Sequence, residues 1–345
     1  MRLLITGSSG FLGQYVVATA LREGHQVTAL VRRELDKSCF SWHDHPALNL
    51  IYIDLLDSQQ EAKLIETLKG IDKVIHLAAA KTGNFDTQMS GTVVATRNLL
   101  NAMLKAQVMH LIAISTFSVY DYINIPLGQT IDEESPIDLN PINRDLYTQT
   151  KLMQEEVIRE FEKKHGGQII ILRPSMIYGR NYLWNAFLGS QLGEGRWLQI
   201  KTQATIPITY VENCAEAIIM ATECSEAIGK VFNIVDDNLP IQATYVSQLI
   251  ERTSPRPRII SIHWEAIDFL ARIIWKGNQW LFKGRAKLPG ILIPDSLHAR
   301  FKPFNYSNCR LKQAIDWAPK YSLEVALDRS FSNTDLLSIP ATEVS

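Results

Sequence analysis

Near its start the chain reads Thr6-Gly7-Ser8-Ser9-Gly10-Phe11-Leu12-Gly13, between a short apolar run and a helical pattern. Gly7 would allow a sharp turn, Gly10 would let backbone N–H groups approach a pyrophosphate, and Gly13 would let the helix pack closely on the strand. The helix N-terminus would then face the phosphates. Because this glycine cluster joins a strand to a helix, we interpret it as a dinucleotide-binding loop rather than only a tight turn.

Short apolar runs alternate with longer helical patterns through the first half of the chain. The runs are 3–6, 26–31, 50–53, 73–77, 110–115 and 168–172, and their apolar residues are continuous rather than alternating. Such strands are typical of a parallel sheet that is covered by helices on both faces. The stretches between them, such as 91–107, indicate crossover helices. We therefore predict an α/β fold of the Rossmann type, with a doubly wound parallel sheet and a ligand crevice at the C-terminal ends of its strands.

The composition is that of an ordinary globular protein. The chain has 345 residues, of which 46% are hydrophobic and 21% are charged. Lys and Arg together number 35 and Asp and Glu number 36, so no bulk charge favours nucleic acid or an anionic lipid surface as a partner. The N-terminal apolar run is too short for a signal peptide, and no stretch of about 18 apolar residues predicts a transmembrane helix. We expect a cytoplasmic protein.

The sequence does not predict a metal site. The four cysteines, Cys39, Cys214, Cys224 and Cys309, are too far apart for a zinc ribbon or a CxxC redox pair, so reduced structural thiols are expected. His43-Asp44-His45 has no suitably spaced third ligand, so we interpret it as a surface loop.

The regular rhythm of strands and helices breaks after Arg173-Pro174, where an irregular segment rich in Gly and Trp follows at 189–197. A further strand pattern at 231–235 suggests that the chain returns to the first lobe. We therefore predict two interleaved lobes: a dinucleotide-binding lobe of 1–175 with about 208–236, and a smaller substrate lobe of 176–207 and 237–335. Residues 336–345 are expected to form a frayed tail.

The end of the second strand bears on the choice of cofactor. Arg32 lies 19 positions after Gly13, near the place where an acidic residue would bind the ribose 2′-hydroxyl of NAD. Arg32 and Arg33 could instead bind a 2′-phosphate, which favours NADP(H). A solvated pair of surface arginines is the alternative, and Glu34 could partly serve NAD.

Tyr147 is the candidate acid/base group, and Lys151 follows it by four residues in a helical pattern. This spacing places both side chains on one face of a helix. A tyrosine titrates near pH 10 in water, so action near pH 7 requires about 4 kcal/mol of preferential stabilisation of the phenolate. A neighbouring ammonium and the positive charge of a nicotinamide could supply it. The pair is common by chance, so it needs support from other segments.

That support comes from hydroxyl side chains after the fifth strand, in Ile114-Ser115-Thr116-Phe117-Ser118-Val119-Tyr120. With this segment the chain resembles, over nearly its whole length, the extended short-chain dehydrogenase/reductases of the NAD-dependent epimerase/dehydratase superfamily. The matching segments are Thr6 to Gly13 (TGxxGxxG), Asp54-Leu55 (the adenine-contacting DL), Ile75-His76-Leu77-Ala78-Ala79 (HxAA), Thr116 (the catalytic Ser/Thr), Tyr147-Thr148-Gln149-Thr150-Lys151 (YxxxK) and Leu172-Arg173-Pro174-Ser175-Met176-Ile177-Tyr178-Gly179 (RPxxVYG). Six segments in this order are hard to obtain by accident.

The resemblance implies roles for these residues. Thr116 and Tyr147 would bind the substrate oxygen, Tyr147 would transfer the proton, and Lys151 would lower the phenol pKa and hold the nicotinamide ribose. Ser115 would be a structural hydroxyl. The residues predicted to contact the dinucleotide are Gly7, Ser9, Gly10, Phe11, Leu12, Gly13, Arg32, Asp54, Leu55, Leu77, Ala78, Ala79, Tyr147, Lys151 and Pro174.

One departure from the family pattern lies on the fourth helix. The usual NVxGT is replaced by Thr92-Val93-Val94-Ala95-Thr96, so an expected Asn is missing. This absence puts a polar relay through the helix in doubt.

The second lobe bears on the substrate. The run Tyr210-Val211-Glu212-Asn213-Cys214-Ala215-Glu216-Ala217 is most similar to the 3β-hydroxysteroid, sterol and dihydroflavonol dehydrogenase branch. Segment 264–294 contains many large apolar residues among basic ones. It could close a lipophilic pocket, lie on a membrane surface, or simply form the core of the lobe or an oligomer contact.

These observations predict an NADP(H)-dependent oxidoreductase, with NAD possible, that acts at a secondary alcohol or ketone of a bulky, mainly apolar molecule such as a sterol or flavonoid. An NAD-retaining nucleotide-sugar epimerase or dehydratase is the alternative, because it shares Thr116, Tyr147 and Lys151. A non-catalytic dinucleotide sensor usually lacks the Tyr and Lys pair. The resemblance also favours a homodimer through the helices 91–107 and 146–162.

Overall fold

The computed structural model describes residues 1–34, 40–193, 195–282, 288 and 292–338. The strands are β1 (Arg2–Thr6), β2 (Gln26–Val31), β3 (Leu48–Tyr52), β4 (Lys73–His76), β5 (His110–Ile114), β6 (Thr130–Ile131), β7 (Gln168–Pro174), β8 (Met176–Tyr178), β9 (Gly189–Gln191), β10 (Arg196–Lys201), β11 (Ile208–Tyr210), β12 (Val231–Ile234), β13 (Arg258–His263) and β14 (Asn305–Tyr306). The helices are α1 (Phe11–Arg22), α2 (Glu61–Leu68), α3 (Phe85–Gln88), α4 (Ala95–Ala106), α5 (Leu146–His165), α6 (Val211–Glu223), α7 (Gln242–Arg252), α8 (Trp264–Phe282), α9 (Pro294–Phe301), α10 (Cys309–Ile315) and α11 (Leu323–Ser332). A π-helical segment, Met89–Val94, leads directly into α4.

Seven strands form one parallel sheet in the order β12-β7-β5-β4-β1-β2-β3. The chain runs outward from β1 to β3 on one side and then from β4 to β12 on the other, so the strand order reverses between β1 and β4. A ligand crevice is expected at this point, beyond the C-terminal ends of the strands. The predicted α/β fold with a doubly wound parallel sheet is confirmed.

The apolar strands are continuous because both faces of the sheet are covered. Successive residues of β1 enter opposite layers: Leu3 and Ile5 pack in the core cluster that includes α1 and α6, whereas Leu4 packs in the cluster that includes α2, α4 and α5. All three side chains are fully buried. The alternation of side chains along a strand therefore supplies apolar residues to two cores at once.

The remainder of the chain adds smaller sheets. Strands β9, β10 and β13 form a three-stranded sheet, in which β9 and β10 are antiparallel. The interpretation of 189–197 as an irregular segment is therefore wrong, since Gly189 to Gln191 pair with Trp197 to Gln199. Among the residues that the structure describes, no helix is long and apolar enough to span a bilayer.

The C-terminal segment begins with an anchored residue. Asp335 is fully buried, accepts a hydrogen bond from the Tyr15 hydroxyl at 2.8 Å and pairs with Arg180. Leu336 is buried in the core beside α1, within the 3-10 helix Leu336–Ser338. The prediction of a frayed tail from 336 onward is wrong for these three residues, because the Asp335 contacts fix the chain there; 339–345 lie outside the described residues.

Candidate active site

The glycine loop lies between β1 and α1, as the sequence predicted. Gly7 has a φ of 70°, and a Cβ there would come within 2.9 Å of the Ala78 nitrogen. A Cβ on Gly13 would lie only 2.1 Å from the Gly7 carbonyl oxygen. Real side chains do not tolerate such an approach, so the loop can have this shape only with glycine at both positions.

The loop and the start of α1 fit an anionic group. Gly10 is the exposed N-cap residue of α1, and the first turn of α1 contains no acidic side chain. The first N–H groups of a helix lack partners within the helix and carry a partial positive charge. These residues could therefore hold the pyrophosphate of a dinucleotide.

The other predicted cofactor residues follow the C-terminal ends of neighbouring strands. Arg32 comes directly after β2, Asp54 and Leu55 follow β3, 77–79 follow β4, and Pro174 ends β7. All of these strand ends lie on the edge that carries the glycine loop, because the sheet is parallel. A cleft beside Asp54 and Leu55 is also lined by α4. The structure thus places the predicted residues along one edge, and their contacts with a dinucleotide remain a prediction.

Arg32, Arg33 and Glu34 are all exposed at the end of β2. Each is free to face solvent at the sheet edge, so their exposure fits either a bound phosphate or a solvated surface pair. The preference for NADP(H) over NAD therefore stays a prediction.

Thr116 and Tyr147 meet beyond the C-terminal end of β5. Thr116 is the N-cap of a short 3-10 helix, Phe117–Val119, and its Oγ1 accepts a hydrogen bond from the Ser118 nitrogen at 3.2 Å. Tyr147 lies in the first turn of α5, with the Thr116 side chain close enough to its phenol to lower the phenol pKa. Burial raises the pKa of Tyr147 to about 12; the Thr116 side chain opposes this rise and the charge of Asp145 adds to it. The unliganded protein therefore keeps this phenol protonated.

Lys151 lies one turn further along α5 and is only 3% exposed. Its Nζ donates to the Ile114 carbonyl oxygen at 2.6 Å and to the Gln154 Oε1 at 2.5 Å. Burial lowers the pKa of Lys151 to about 7, the carboxylate of Glu155 opposes the fall, and the ammonium of Lys81 contributes to it. Near neutral pH this lysine can therefore be either an ammonium or an amine.

A buried ion pair lies beside the end of β5. The sequence analysis did not identify it. Arg173 donates to both carboxylate oxygens of Glu155, at 2.9 and 2.7 Å, and the Ser115 hydroxyl donates to the same carboxylate at 2.5 Å. Burial alone would raise the pKa of Glu155, but the hydrogen bonds and charge of Arg173 hold it below its ordinary value. The position of Glu155, four residues after Lys151 on the same helix, is the signal that could have suggested its role.

A second missed residue fixes the loop that carries Thr116. Arg144 is buried and donates to the carbonyl oxygens of Ser118, at 2.8 Å, and Tyr120, at 3.1 Å. It also pairs with Asp138 at 3.1 Å. Because Arg144 holds the backbone on both sides of Val119, it limits movement of the hydroxyl segment beside Tyr147.

The described part of the chain contains no group of three His, Cys, Asp or Glu side chains that could hold a metal ion. His43 pairs with its neighbour Asp44 at 2.8 Å. Cys214, Cys224 and Cys309 are free thiols, and Cys39 lies outside the described residues.

Comparison with known proteins gives consistent matches. The family model of the NAD dependent epimerase/dehydratase family matches residues 3–234. The human sterol-4-alpha-carboxylate 3-dehydrogenase, decarboxylating, is 25% identical over 95% of this chain and 87% of its own length. An undecaprenol-linked N-acetylglucosamine 4-epimerase of Escherichia coli O157:H7 is 29% identical over 68% of this chain and 67% of its own length. The crystal structure of UDP-glucuronic acid 4-epimerase from Bacillus cereus, in complex with NAD, superposes with a TM-score of 0.71 and 21% identity over 96% of this chain and 98% of that chain.

These matches confirm the resemblance that the motifs indicated. The family match spans the glycine loop, Thr116, Tyr147 and Lys151, which the fold places at one edge of the sheet. The chain is therefore an enzyme of the extended short-chain dehydrogenase/reductase type and belongs to the NAD dependent epimerase/dehydratase family.

Proposed function

We propose that the protein is an NADP(H)-dependent oxidoreductase that transfers hydride at a secondary alcohol or ketone of a bulky, mainly apolar substrate, such as a sterol or flavonoid. The observation that carries this proposal is the proximity of the Thr116 hydroxyl to the Tyr147 phenol, whose pKa it lowers, with Lys151 one turn further along the same helix. The similarity to a human sterol dehydrogenase supports the substrate class.

The residues of the site can perform the proton chemistry. In the direction of reduction, the Thr116 hydroxyl would bind the carbonyl oxygen and the Tyr147 phenol would protonate it. A bound nicotinamide dinucleotide would supply the hydride in this direction; in the direction of oxidation its oxidised ring would accept the hydride and add a positive charge that favours the phenolate. Moving the phenol pKa from about 12 to neutral pH requires about 7 kcal/mol of preferential phenolate stabilisation. The ammonium of Lys151 would contribute part of this stabilisation, together with that ring charge.

The decisive variant is Tyr147→Phe, which removes only the hydroxyl. We expect turnover of an accepted substrate to fall by about a thousandfold, while the dissociation constant of the dinucleotide changes little. Steady-state kinetics and calorimetry measure the two quantities. Tyr321→Phe is the matched control, because Tyr321 packs against Tyr210 and Arg329, away from Thr116, Tyr147 and Lys151. Full turnover by Tyr147→Phe would contradict the proposal.

The choice of cofactor can be tested separately. If Arg32 binds a 2′-phosphate, the protein binds NADP⁺ more tightly than NAD⁺, and Arg32→Ala weakens NADP⁺ binding by about tenfold without changing NAD⁺ binding. Calorimetric titrations with both dinucleotides measure this difference. Equal loss for both, or tighter binding of NAD⁺, would favour NAD.

A nucleotide-sugar epimerase or dehydratase that retains NAD is the second candidate, because the bacterial 4-epimerase is 29% identical to this chain. Such an enzyme returns the hydride within one turnover. Turnover of a nucleotide sugar without net change of the dinucleotide, together with NAD that co-purifies, would favour this candidate. Net reduction or oxidation in a panel of ketones and alcohols would favour the first.

We also propose that residues 1–175 with about 208–236 hold the dinucleotide and that 176–207 with 237–335 hold the substrate. The pairing of β12 with β7, apart from the separate sheet of β9, β10 and β13, supports this division. A cytoplasmic homodimer through α4 and α5, and peripheral membrane contact through 264–294, belong to the same proposal. Exposed apolar residues beside Lys276 on α8 support the membrane contact. Size-exclusion chromatography with light scattering, and sedimentation with anionic vesicles, test these two points.

A further inference from the structure

A continuous series of hydrogen bonds joins the glycine loop to the active-site lysine. The Lys151 Nζ donates to the Gln154 Oε1 at 2.5 Å, and the Gln154 Nε2 donates to the Thr96 Oγ1 at 2.8 Å. The His76 Nε2 lies 2.9 Å from the same Thr96 oxygen, and the His76 Nδ1 lies 2.7 Å from the Thr6 Oγ1. All five side chains are at most 3% exposed. They come from α5, α4, β4 and β1, so the series runs from two helices to two neighbouring central strands of the sheet.

The protonation of Lys151 fixes the orientation of Gln154. An ammonium has only donors, so the Gln154 carbonyl oxygen must face it and the Gln154 amide nitrogen must face Thr96. The Thr96 hydroxyl donates its own proton to the Thr92 carbonyl oxygen at 2.6 Å. The lone pairs of Thr96 are therefore left to accept from Gln154 and from His76.

The same reasoning fixes the tautomer of His76. The proton lies on Nε2, since Thr96 can only accept there, and Nδ1 accepts from the Thr6 hydroxyl. The Thr6 oxygen in turn accepts from the Ala78 backbone nitrogen at 3.3 Å. Burial lowers the pKa of His76 to about 3, and the charge of Lys151 lowers it further. His76 is therefore a neutral imidazole with one defined tautomer at neutral pH.

The two acceptors of Lys151 fix the direction of its remaining N–H. Two of the three N–H groups of an ammonium would point to Ile114 and Gln154, so the third has no freedom to rotate. Charged groups that face this lysine are Glu155 from its own helix and Lys81 from the segment after β4, while His76 faces it as a neutral ring. Glu155 is occupied by Arg173 and Ser115. Gln154 is thus the side chain that accepts directly from the ammonium.

We propose that Gln154 is a positioning residue for the Lys151 ammonium, and that Thr96 and His76 hold its amide in the required orientation and connect it to Thr6, directly before the glycine loop. This inference rests on the proposed function only for the catalytic use of the lysine. The polar connection passes through α4 at Thr96, on the helix where the sequence put a polar relay in doubt.

Two substitutions of Gln154, one of Thr96 and a control variant test the proposal on the unliganded protein. Gln154→Met keeps the length of the side chain and removes the acceptor, whereas Gln154→Glu keeps an acceptor and adds negative charge. Gln248→Met is the control, because Gln248 lies on α7 and outside this series. NMR of ¹³C,¹⁵N-lysine-labelled protein follows the titration of Lys151, which Lys151→Arg identifies.

We expect the midpoint of the Lys151 titration to fall by about one pH unit in Gln154→Met, to rise above that of the wild type in Gln154→Glu, and to stay unchanged in Gln248→Met. In the same samples, ¹⁵N-histidine spectra should show His76 with its proton on Nε2. Thr96→Val, a smaller change that leaves Gln154 present, should lower the Lys151 midpoint in the same direction as Gln154→Met.

A lower melting temperature in Gln154→Met and Thr96→Val with an unchanged Lys151 titration would mean that Gln154 is only structural, and would overturn the proposal. A proton on the His76 Nδ1 would overturn the assigned connection as well. The proposed function fails separately: a wild-type protein that binds neither dinucleotide, yet shows the expected lysine shifts, would keep Gln154 as a positioning residue and exclude the oxidoreductase.

Discussion

The buried polar side chains around Lys151 and the exposed apolar side chains of α8 both lie in surroundings opposite to their own chemistry. His76 and Arg173 are 1% and 2% exposed, whereas Phe269 and Trp280 of α8 are 67% and 83% exposed. A buried polar group destabilises a fold unless it is hydrogen bonded, and both buried residues have such partners. The exposed apolar groups of α8 contribute no burial energy to the fold while water covers them. The arrangement of the buried polar side chains is therefore fixed by their own hydrogen bonds. The exposed apolar face of α8 is expected to contact a substrate, a membrane or a partner.

The largest effect should come from breaking the buried ion pair. Arg173→Met leaves the Glu155 carboxylate buried without its main partner, so we expect the free energy of unfolding to fall by about 3 to 5 kcal/mol. Urea denaturation measures the change. Arg159→Met is the control, since Arg159 contacts the same carboxylate from an exposed position at 3.5 Å, and it should cost less than about 1 kcal/mol.

The pair also predicts a dependence on pH. The pKa of Glu155 is lower in the folded protein than its ordinary value, so its stabilising contribution is complete above the ordinary pKa and is lost as pH falls through the folded value. The difference in stability between the wild type and Arg173→Met should therefore shrink on acidification. A difference that stays constant from neutral pH into the acid range would show that the carboxylate is not stabilised by Arg173.

Two glycines give the next comparison, one in the loop region that follows Thr6 and one on α8. Gly13→Ala would place a Cβ 2.1 Å from the Gly7 oxygen, so the loop must move, whereas a Cβ on Gly277 of α8 would meet no atom within 4 Å. We expect Gly13→Ala to weaken dinucleotide binding by at least about tenfold, a loss of about 1.4 kcal/mol. Gly277→Ala should leave binding unchanged and stabilise the helix by up to about 1 kcal/mol. Calorimetry and thermal melts measure both, and unaltered binding by Gly13→Ala would mean that the loop does not hold the dinucleotide.

The elements of the fold also differ in how far the sequence predicted them. The glycine loop and the strands of the large sheet were predictable because their signals are local: a glycine spacing or one continuous apolar run. Strand β9 was missed because its signal is not local. Gly189 has a φ of 132°, and a Cβ there would lie 1.9 Å from the Leu198 oxygen, so this glycine is required by the pairing of β9 with β10 rather than by a turn.

The same limit applies within the candidate site. Tyr147, Lys151 and Thr116 were predicted from the motifs, and in the structure Thr116 lies close enough to Tyr147 to lower its pKa. The series of hydrogen bonds that continues from Lys151 was not found. Gln154, Thr96 and His76 lie on three separate elements, so their contacts with one another exist only after folding. The spacing of three between Lys151 and Gln154 was the available local signal, since side chains at this spacing are neighbours on a helix.

The smallest effect on stability is expected on α8. Phe269→Ser removes an apolar side chain that is already 67% exposed, so the free energy of unfolding should change by less than about 0.5 kcal/mol. If this face contacts an apolar substrate or a membrane surface, the same variant should raise the KM of an apolar substrate or reduce sedimentation with anionic vesicles by severalfold. Ile267→Ser is the contrasting variant, since Ile267 is 8% exposed in the core cluster of α8 and α9, and it should destabilise the protein by about 2 kcal/mol or more. A Phe269→Ser protein that is equally destabilised would show that the face is covered in solution, and one that changes neither stability, KM nor sedimentation would leave α8 without a role in binding.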